Sequence, residues 1–152
     1  MKTPLNKKRK GRSKLWAGRF SESTDPLVDV FTNSIPFDYR LLPYDLIGSL
    51  AHLKMLAVQG VVSNREAGRI RKGLSEIRKE WEEGRLTFPL KDEDVHMFVE
   101  KRLTAKIGTV AGKIHTARSR NDQVALDVRL YLRDEILEVR SLILALQEAI
   151  LP

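Results

Sequence analysis

The densest run of chemically capable side chains is His115-Thr116-Ala117-Arg118-Ser119-Arg120-Asn121-Asp122. Arg118 and Arg120 offer forked N–H donors suited to carboxylates or phosphates. Ser119 and Asn121 add neutral donors and acceptors. The segment leads into a helix N-terminus, whose free amides and dipole favour an anion. Residue chemistry alone therefore describes an anion-binding turn, although a surface loop whose Asn or Asp caps the helix fits the same composition. Other candidates are weaker. The three His (His52, His96, His115) lack metal-ligand spacing, and no nucleophile-elbow sequence supports a Ser–His hydrolase. His52 reads as a packed or partly exposed helix residue, His96 as part of a buried polar network near Asp94, and Ser34 by itself as a turn hydroxyl.

The elements that must position this turn are helical. A turn-rich stretch from Leu15 to Pro43, punctuated by Gly18, Pro26 and Pro36, has only short periodic pieces. From Pro43, apolar Leu46, Leu50, Leu53 and Ala57 recur at helical steps, and Gly60 stops the run. Ser63 and Glu66 form a capping-box pattern ahead of a stripe of Ala67, Ile70, Leu74, Ile77 and Trp81, ended by Gly84. On that helix Glu66, Arg69, Lys72, Glu76 and Lys79 predict a solvated face with i,i+3 and i,i+4 pairs. A third helix is predicted from about Asp92, with acids in its first turn and a stripe of Val95, Val99, Leu103 and Ile107. The polar segment from Gly108 to Asp122 reads as a loop. From about Asn121 to Ile150 there is neither Gly nor Pro, and Val124, Val128, Tyr131, Ile136, Val139, Ile143, Leu146 and Ile150 mark one face. At about 1.5 Å per residue that helix outreaches its three shorter neighbours, so its stripe requires long partners, as in a bundle. Trp81 and Phe98 are expected in the core.

Bulk properties fit a globular, all-α chain. Of 152 residues, 42% are hydrophobic and 31% charged, and Cys is absent, which excludes disulfides and thiolate metal sites and suits a reducing compartment. No apolar run approaches the roughly 20 residues of a membrane span, and no secretory signal pattern opens the chain. A cytoplasmic location is the expectation. The net charge of +7 is carried by Lys2, Lys7, Lys8, Arg9, Lys10, Arg12 and Lys14; without them, Lys+Arg and Asp+Glu balance at 20 each. This tail lacks interleaved aromatics for base stacking, so it reads as a solvated leader rather than a nucleic-acid module.

Several blocks, in order, resemble the argininosuccinate lyases of the fumarase/aspartase superfamily. His115 to Gln123 is similar to that family's substrate-binding box, and Leu15-Trp16-Ala17-Gly18-Arg19-Phe20 to its opening motif. Phe31-Thr32-Asn33-Ser34-Ile35 with Asp38, Asp92-Glu93-Asp94-Val95-His96 and Ala111-Gly112-Lys113 match three further blocks. The Arg-Ser-Arg-Asn-Asp form points to that branch or to its delta-crystallin relatives. The resemblance covers residues 15 to about 150. It implies a basic tail (1–14), an N-terminal lyase domain (15–112), and a substrate loop with the first long helix of an L-aspartase-like bundle, incomplete (113–152). It also implies β-elimination of argininosuccinate to arginine and fumarate, in arginine biosynthesis, with no metal or organic cofactor. Carried over, Ser34, Asn121 and Arg120 bind substrate, Arg120 facing a succinate carboxylate. Arg118, Thr116, His115, Asp94 and Asp38 support the site. The family's basic Thr-His pair and mobile-loop serine have no counterpart here, so the chain alone is expected to be inactive. Its expected partners are the small-molecule substrate and either further copies, a homotetramer in the family, or a complementing C-terminal chain. The rival expectation is a non-catalytic, self-associating helical protein of the delta-crystallin type.

Overall fold

The computed structural model describes residues 25–151. The basic tail (1–14) and the Leu15–Phe20 motif lie outside the described residues. Two units divide between Phe31 and Thr32. The first contributes most of α1 (Pro26–Thr32), whose start is capped by Asp25 Oδ1 accepting from Leu27 N at 2.8 Å.

The second unit holds α2 (Ile35–Asp38), a 3-10 turn (Tyr39–Leu41), α3 (Leu42–Val58), α4 (Asn64–Glu82), α5 (Val95–Ile107), a 3-10 segment (Gly108–His115) and α6 (Arg120–Ile150). No strand occurs among the described residues. Residues 27–58 have the length and hydropathy (1.2) of a membrane span, yet α3 turns Leu42, Leu46, Leu53 and Leu56 into the core of this unit.

Local signals explain where the helices begin and end. The Ser63–Glu66 capping box is present at the start of α4. Gly60 and Gly84 take left-handed φ values of 70° and 65°. Each donates to the carbonyl three residues back (Ala57, Trp81), and the next amides, Val61 and Arg85, reach Leu56 and Glu80. These are Schellman closures.

Four expectations are corrected. α5 starts at Val95, not Asp92, because Asp94 is extended (φ −146°, ψ 168°) and spends its carboxylate on Met97 N. The segment after Gly108 is a 3-10 helix rather than a loop, since Ala111 and Ile114, three residues apart, both bury. α6 begins at Arg120, capped by Ser119 reciprocally with Asp122, so neither Asn121 nor Asp122 is the cap. The polar face of α4 pairs across helices more than along itself. Glu66 binds Lys113 at 2.6 Å, Glu76 and Glu80 bind Lys106 at 3.4 and 2.8 Å, and Glu80 binds Arg102 at 2.7 Å. Arg69 donates to the Ile107 carbonyl at 2.8 Å; Lys79 keeps an i,i+4 partner in Glu83 at 3.9 Å. The Lys113 ammonium, then Ser63, hold the Glu66 carboxyl down to about 2.

The core joins α3, α4 and α5 through Leu46, Leu53, Ile70, Leu74, Ile77, Val95, Val99 and Leu103. Trp81 and Phe88 meet edge-on, and Phe88 lies 4.6 Å from Phe98 between ring centroids. Close approach of α4 and α5 depends on Gly73: a Cβ there meets Leu103 Cδ1 at 2.6 Å and Ile107 Cγ2 at 3.2 Å. Gly68 on the same helix has open space. Gly73→Ala is therefore expected to lower stability by about 1 kcal/mol, overpacking outweighing the gain in helix propensity. Gly68→Ala should raise it by about 0.5–1 kcal/mol. Paired thermal melts check this; equal shifts in one direction would rule it out.

Candidate functional site

The turn between the 3-10 segment and α6 is tightly built. Arg118 N donates to His115 O at 3.2 Å and Thr116 N to Lys113 O at 3.2 Å. Thr116 Oγ1 donates to Lys113 O at 2.8 Å, and His52 Nε2–H on α3 donates to Thr116 O at 2.9 Å. Ala117 sits at φ 56°, an uncommon region for a residue with a Cβ, held by its surroundings. Ser119 Oγ accepts from Asp122 N at 3.2 Å and Asp122 Oδ2 accepts from Ser119 N at 2.9 Å. The first-turn amides of Arg120 and Asn121 have no acceptor within the helix, and the Asn121 residue is exposed.

Around Arg120 the structure gathers most of the expected site residues. Its Nε lies 3.2 Å from Asp94 Oδ2, Nη1 donates to Gln123 Oε1 at 3.0 Å, and Nη2 stands 4.0 Å from Glu100 Oε2. Glu100 also accepts from His115 Nε2 at 3.1 Å; that hydrogen bond, against burial, lowers its pKa. Asp94 ties this group to the chain around Ser34. Ser34 N donates to Glu93 O at 2.8 Å, and Asp38 Oδ2 accepts both Ser34 Oγ at 2.5 Å and Val95 N at 3.2 Å. Burial pushes the Asp38 carboxyl up, against those two donors. Ser34, Asp38, Asp94, His115 and Arg120 thus form one continuous set of contacts. Ser34 is engaged with a carboxylate, and Arg120 faces the acids of its own chain.

Behind this surface lies a buried cluster that residue types alone did not reveal. His96 Nδ1–H donates to Asp45 Oδ1 at 3.1 Å, and Gln123 Nε2 donates to the same oxygen at 2.9 Å. His96 thus lies in a buried polar network, as expected, with Asp45 as its hydrogen-bond partner, while Asp94 caps α5. Asp127, 1% exposed, holds Oδ2 3.6 Å from His96 Nδ1. Both Arg118 Nη atoms donate to Ser49 Oγ at 3.2 Å. Burial, then the Asp45 charge, push the Asp127 carboxyl up to about 7, against His96 and Arg118. Burial pulls the His96 pKa down, but the Asp45 hydrogen bond and charge outweigh it and the net shift is upward. Asp45, His96 and Asp127 bring one ligand-type atom each within 4.8 Å of one another. Their chemistry suits a shared proton better than a metal. Asp45 Oδ1 already accepts two hydrogen bonds, and Arg118 is a built-in cation facing both acids. A recess among Ser49, His96, Glu100, His115 and Arg118 has about 10 Å³ of space, room for one water rather than a dicarboxylate.

Asp45, Ser49, Glu100, Gln123 and Asp127 were missed as site-supporting residues. A signal for them existed in Asp45/Ser49, His96/Glu100 and Gln123/Asp127, three polar pairs each one helical turn apart.

Comparison with known proteins adds to this geometry. A family model described as "Lyase" matches residues 18–151. The argininosuccinate lyase of Syntrophotalea carbinolica is 54% identical over 138 residues, covering 91% of this chain and 30% of that protein. Those of Desulforamulus reducens (54%, covering 91% and 30%) and Moorella thermoacetica (53%, covering 90% and 30%) are similar. The chain spans about 30% of the length of these curated relatives.

Proposed function

The chain belongs to the lyase family matched over residues 18–151, and on that premise we propose that it carries the carboxylate-binding part of an argininosuccinate lyase. The observation that carries the reading is the contact set from Ser34 through Asp38, Val95 and Asp94 to Arg120, which joins distant segments beside a helix N-terminus. In the proposed reaction a base takes a proton from the carbon beside a succinate carboxylate. The C–N bond then breaks, arginine leaves with a proton from an acid, and fumarate remains. Arg120, Asn121 and the free amides of α6 stabilise the charge that develops on the carboxylate; Ser34 orients the substrate. Asp38, Asp94, His115, Thr116 and Arg118 hold these groups in place. None of the three histidines stands free as the base: His52, His96 and His115 are bound to Thr116 O, Asp45 and Glu100. The base and acid are therefore assigned to residues outside this set. A cytoplasmic homo-oligomer completes the proposal.

Calorimetric titration of the chain with argininosuccinate, alone and with fumarate, tests it. Saturable binding weakened roughly tenfold by Asn121→Ala, the loss of a hydrogen bond to a charged group, is the expected result. Heats indistinguishable from dilution for both ligands would remove the reading. In that case the exposed apolar length of α6 favours a second one, a non-catalytic self-associating protein.

A further inference from the structure

Among the described residues, two buried atoms of oppositely charged groups lack a hydrogen-bond partner: Arg118 Nε and Asp127 Oδ2. Both belong to the cluster in which α3 supplies Asp45 and Ser49, α5 supplies His96, and α6 supplies Gln123 and Asp127. Arg118 enters it from the turn, and its only hydrogen-bond acceptor there is the neutral Ser49 hydroxyl. A half-buried guanidinium needs more than a hydroxyl, because desolvating a charge is unfavourable unless counter-charge offsets it. Asp45 and Asp127 supply the counter-charge, working against the burial that lowers the Arg118 pKa.

We infer that Asp127, with Asp45, is a positioning residue for the anion-binding turn: the buried acids retain Arg118 among the helices, and Arg118 fixes Arg120 and Asn121. The inference rests on the proposed role of that turn, but the turn's placement is measurable without any ligand. Three features of the geometry support it. The turn includes the left-handed Ala117, a conformation that persists only where neighbours over-determine it. Arg118 follows that residue directly, so its retention decides whether the turn keeps its shape. Asp127 is four residues after Gln123, whose carbonyl side receives Arg120 and whose amide donates to Asp45, so the cluster and the surface site share a side chain.

Protonation gives the sign. The groups facing Asp127 are Asp45 on α3, His96 on α5 and Arg118 on the turn. Asp94 and Arg120 also face His96, and Arg120 and Asp122 face Arg118. Arg118 lowers the Asp127 pKa, so a state with Arg118 withdrawn would bind the proton more tightly than the closed one. By linkage, deprotonating Asp127 favours retention of Arg118. Turn order should therefore rise as pH climbs through about 7, the value to which Asp127 is pushed.

The test is hydrogen exchange of the Arg118 and Ser119 amides, which donate to His115 O and Asp122 Oδ2, in the full chain, without ligand, corrected for intrinsic rates, for wild type and Asp127→Asn. Expected is equal protection at pH 6, where the carboxylic acid and the amide are both neutral. At pH 8 wild-type protection should be higher by roughly tenfold, the effect of one pKa unit of coupling, while the core amides of 70–77 stay alike. A wild-type profile flat from pH 6 to 8 overturns the inference. So does an Asp127→Asn deficit equal at both pH values, which would mark plain packing. If exchange behaves as expected while fumarate and argininosuccinate fail to bind, the positioning stands and the lyase-site reading falls.

Discussion

Replacing His96 with leucine is expected to destabilise the fold by about 3–5 kcal/mol at pH 8, the loss typical of a buried charge cluster deprived of one partner. The imidazole joins Asp45 at 3.1 Å and faces Asp127 at 3.6 Å, with side chains 2% exposed on both sides. Leucine fills similar space but leaves two buried carboxylates with only Gln123 and Arg118 to oppose them. The deficit should shrink toward pH 5, where Asp127 takes up a proton and loses the charge that needed compensation. In wild type, Asp127 moves from an ordinary 3.8 to about 7 on folding. Its contribution is complete below the lower value and is lost as pH rises through the upper one, at no more than about 1.4 kcal/mol per pH unit. The raised His96 pKa tempers the shrinking of the deficit, since the stability it contributes is present at low pH and is missing from the leucine variant. Urea melts of both proteins at pH 5 and pH 8 check the prediction. A loss below about 1 kcal/mol at both pH values would show that the cluster carries little of the stability.

The same cluster shows what residue order exposes and what it hides. Helix boundaries were legible wherever a cap is a local bargain between neighbours: Ser63 with Glu66, Gly60, Gly84 and Gly108 all act within one turn of chain. Asp94 was misplaced by a few residues because an acid in a first turn and an acid at the cap look alike in one dimension, and only the extended backbone separates them. The cationic turn around Arg118 and Arg120 was legible, since two guanidiniums and an amide at a helix start are a local pattern. What Arg118 touches was not, because Ser49 lies 69 positions away and on α3 reads as a small polar residue in an apolar helix. Asp45, Gln123 and Asp127 are likewise defined by which helices meet, not by their neighbours in the chain. The apolar stripe of α6, by contrast, was readable in full, and so was the mismatch between its length and that of the helices before it.

That mismatch yields the other large expected effect. α6 is packed only at its start, where Gln123 and Asp127 bury and Tyr131 meets Tyr44 edge-on at 5.9 Å between ring centroids. From Leu132 to Ile150 every residue is exposed, including Ile136 at 65%, Val139 at 53%, Ile143 at 52% and Leu146 at 60%. Large apolar side chains are worth about 1.5–3 kcal/mol each when fully buried, and a contiguous patch of this extent drives association. The chain is therefore expected to sediment as oligomers at tens of micromolar. Ile136→Glu combined with Ile143→Glu should shift it to monomer, because an unpaired carboxylate in a closed helix interface opposes association by several kcal/mol. The two sites lie two turns apart on the same face and are exposed outside the core, so the monomer should retain the circular dichroism and melting of its core. Sedimentation velocity of both proteins decides the point. A wild-type monomer under those conditions, or a double variant that still assembles, would show that this face of α6 is not what joins the copies.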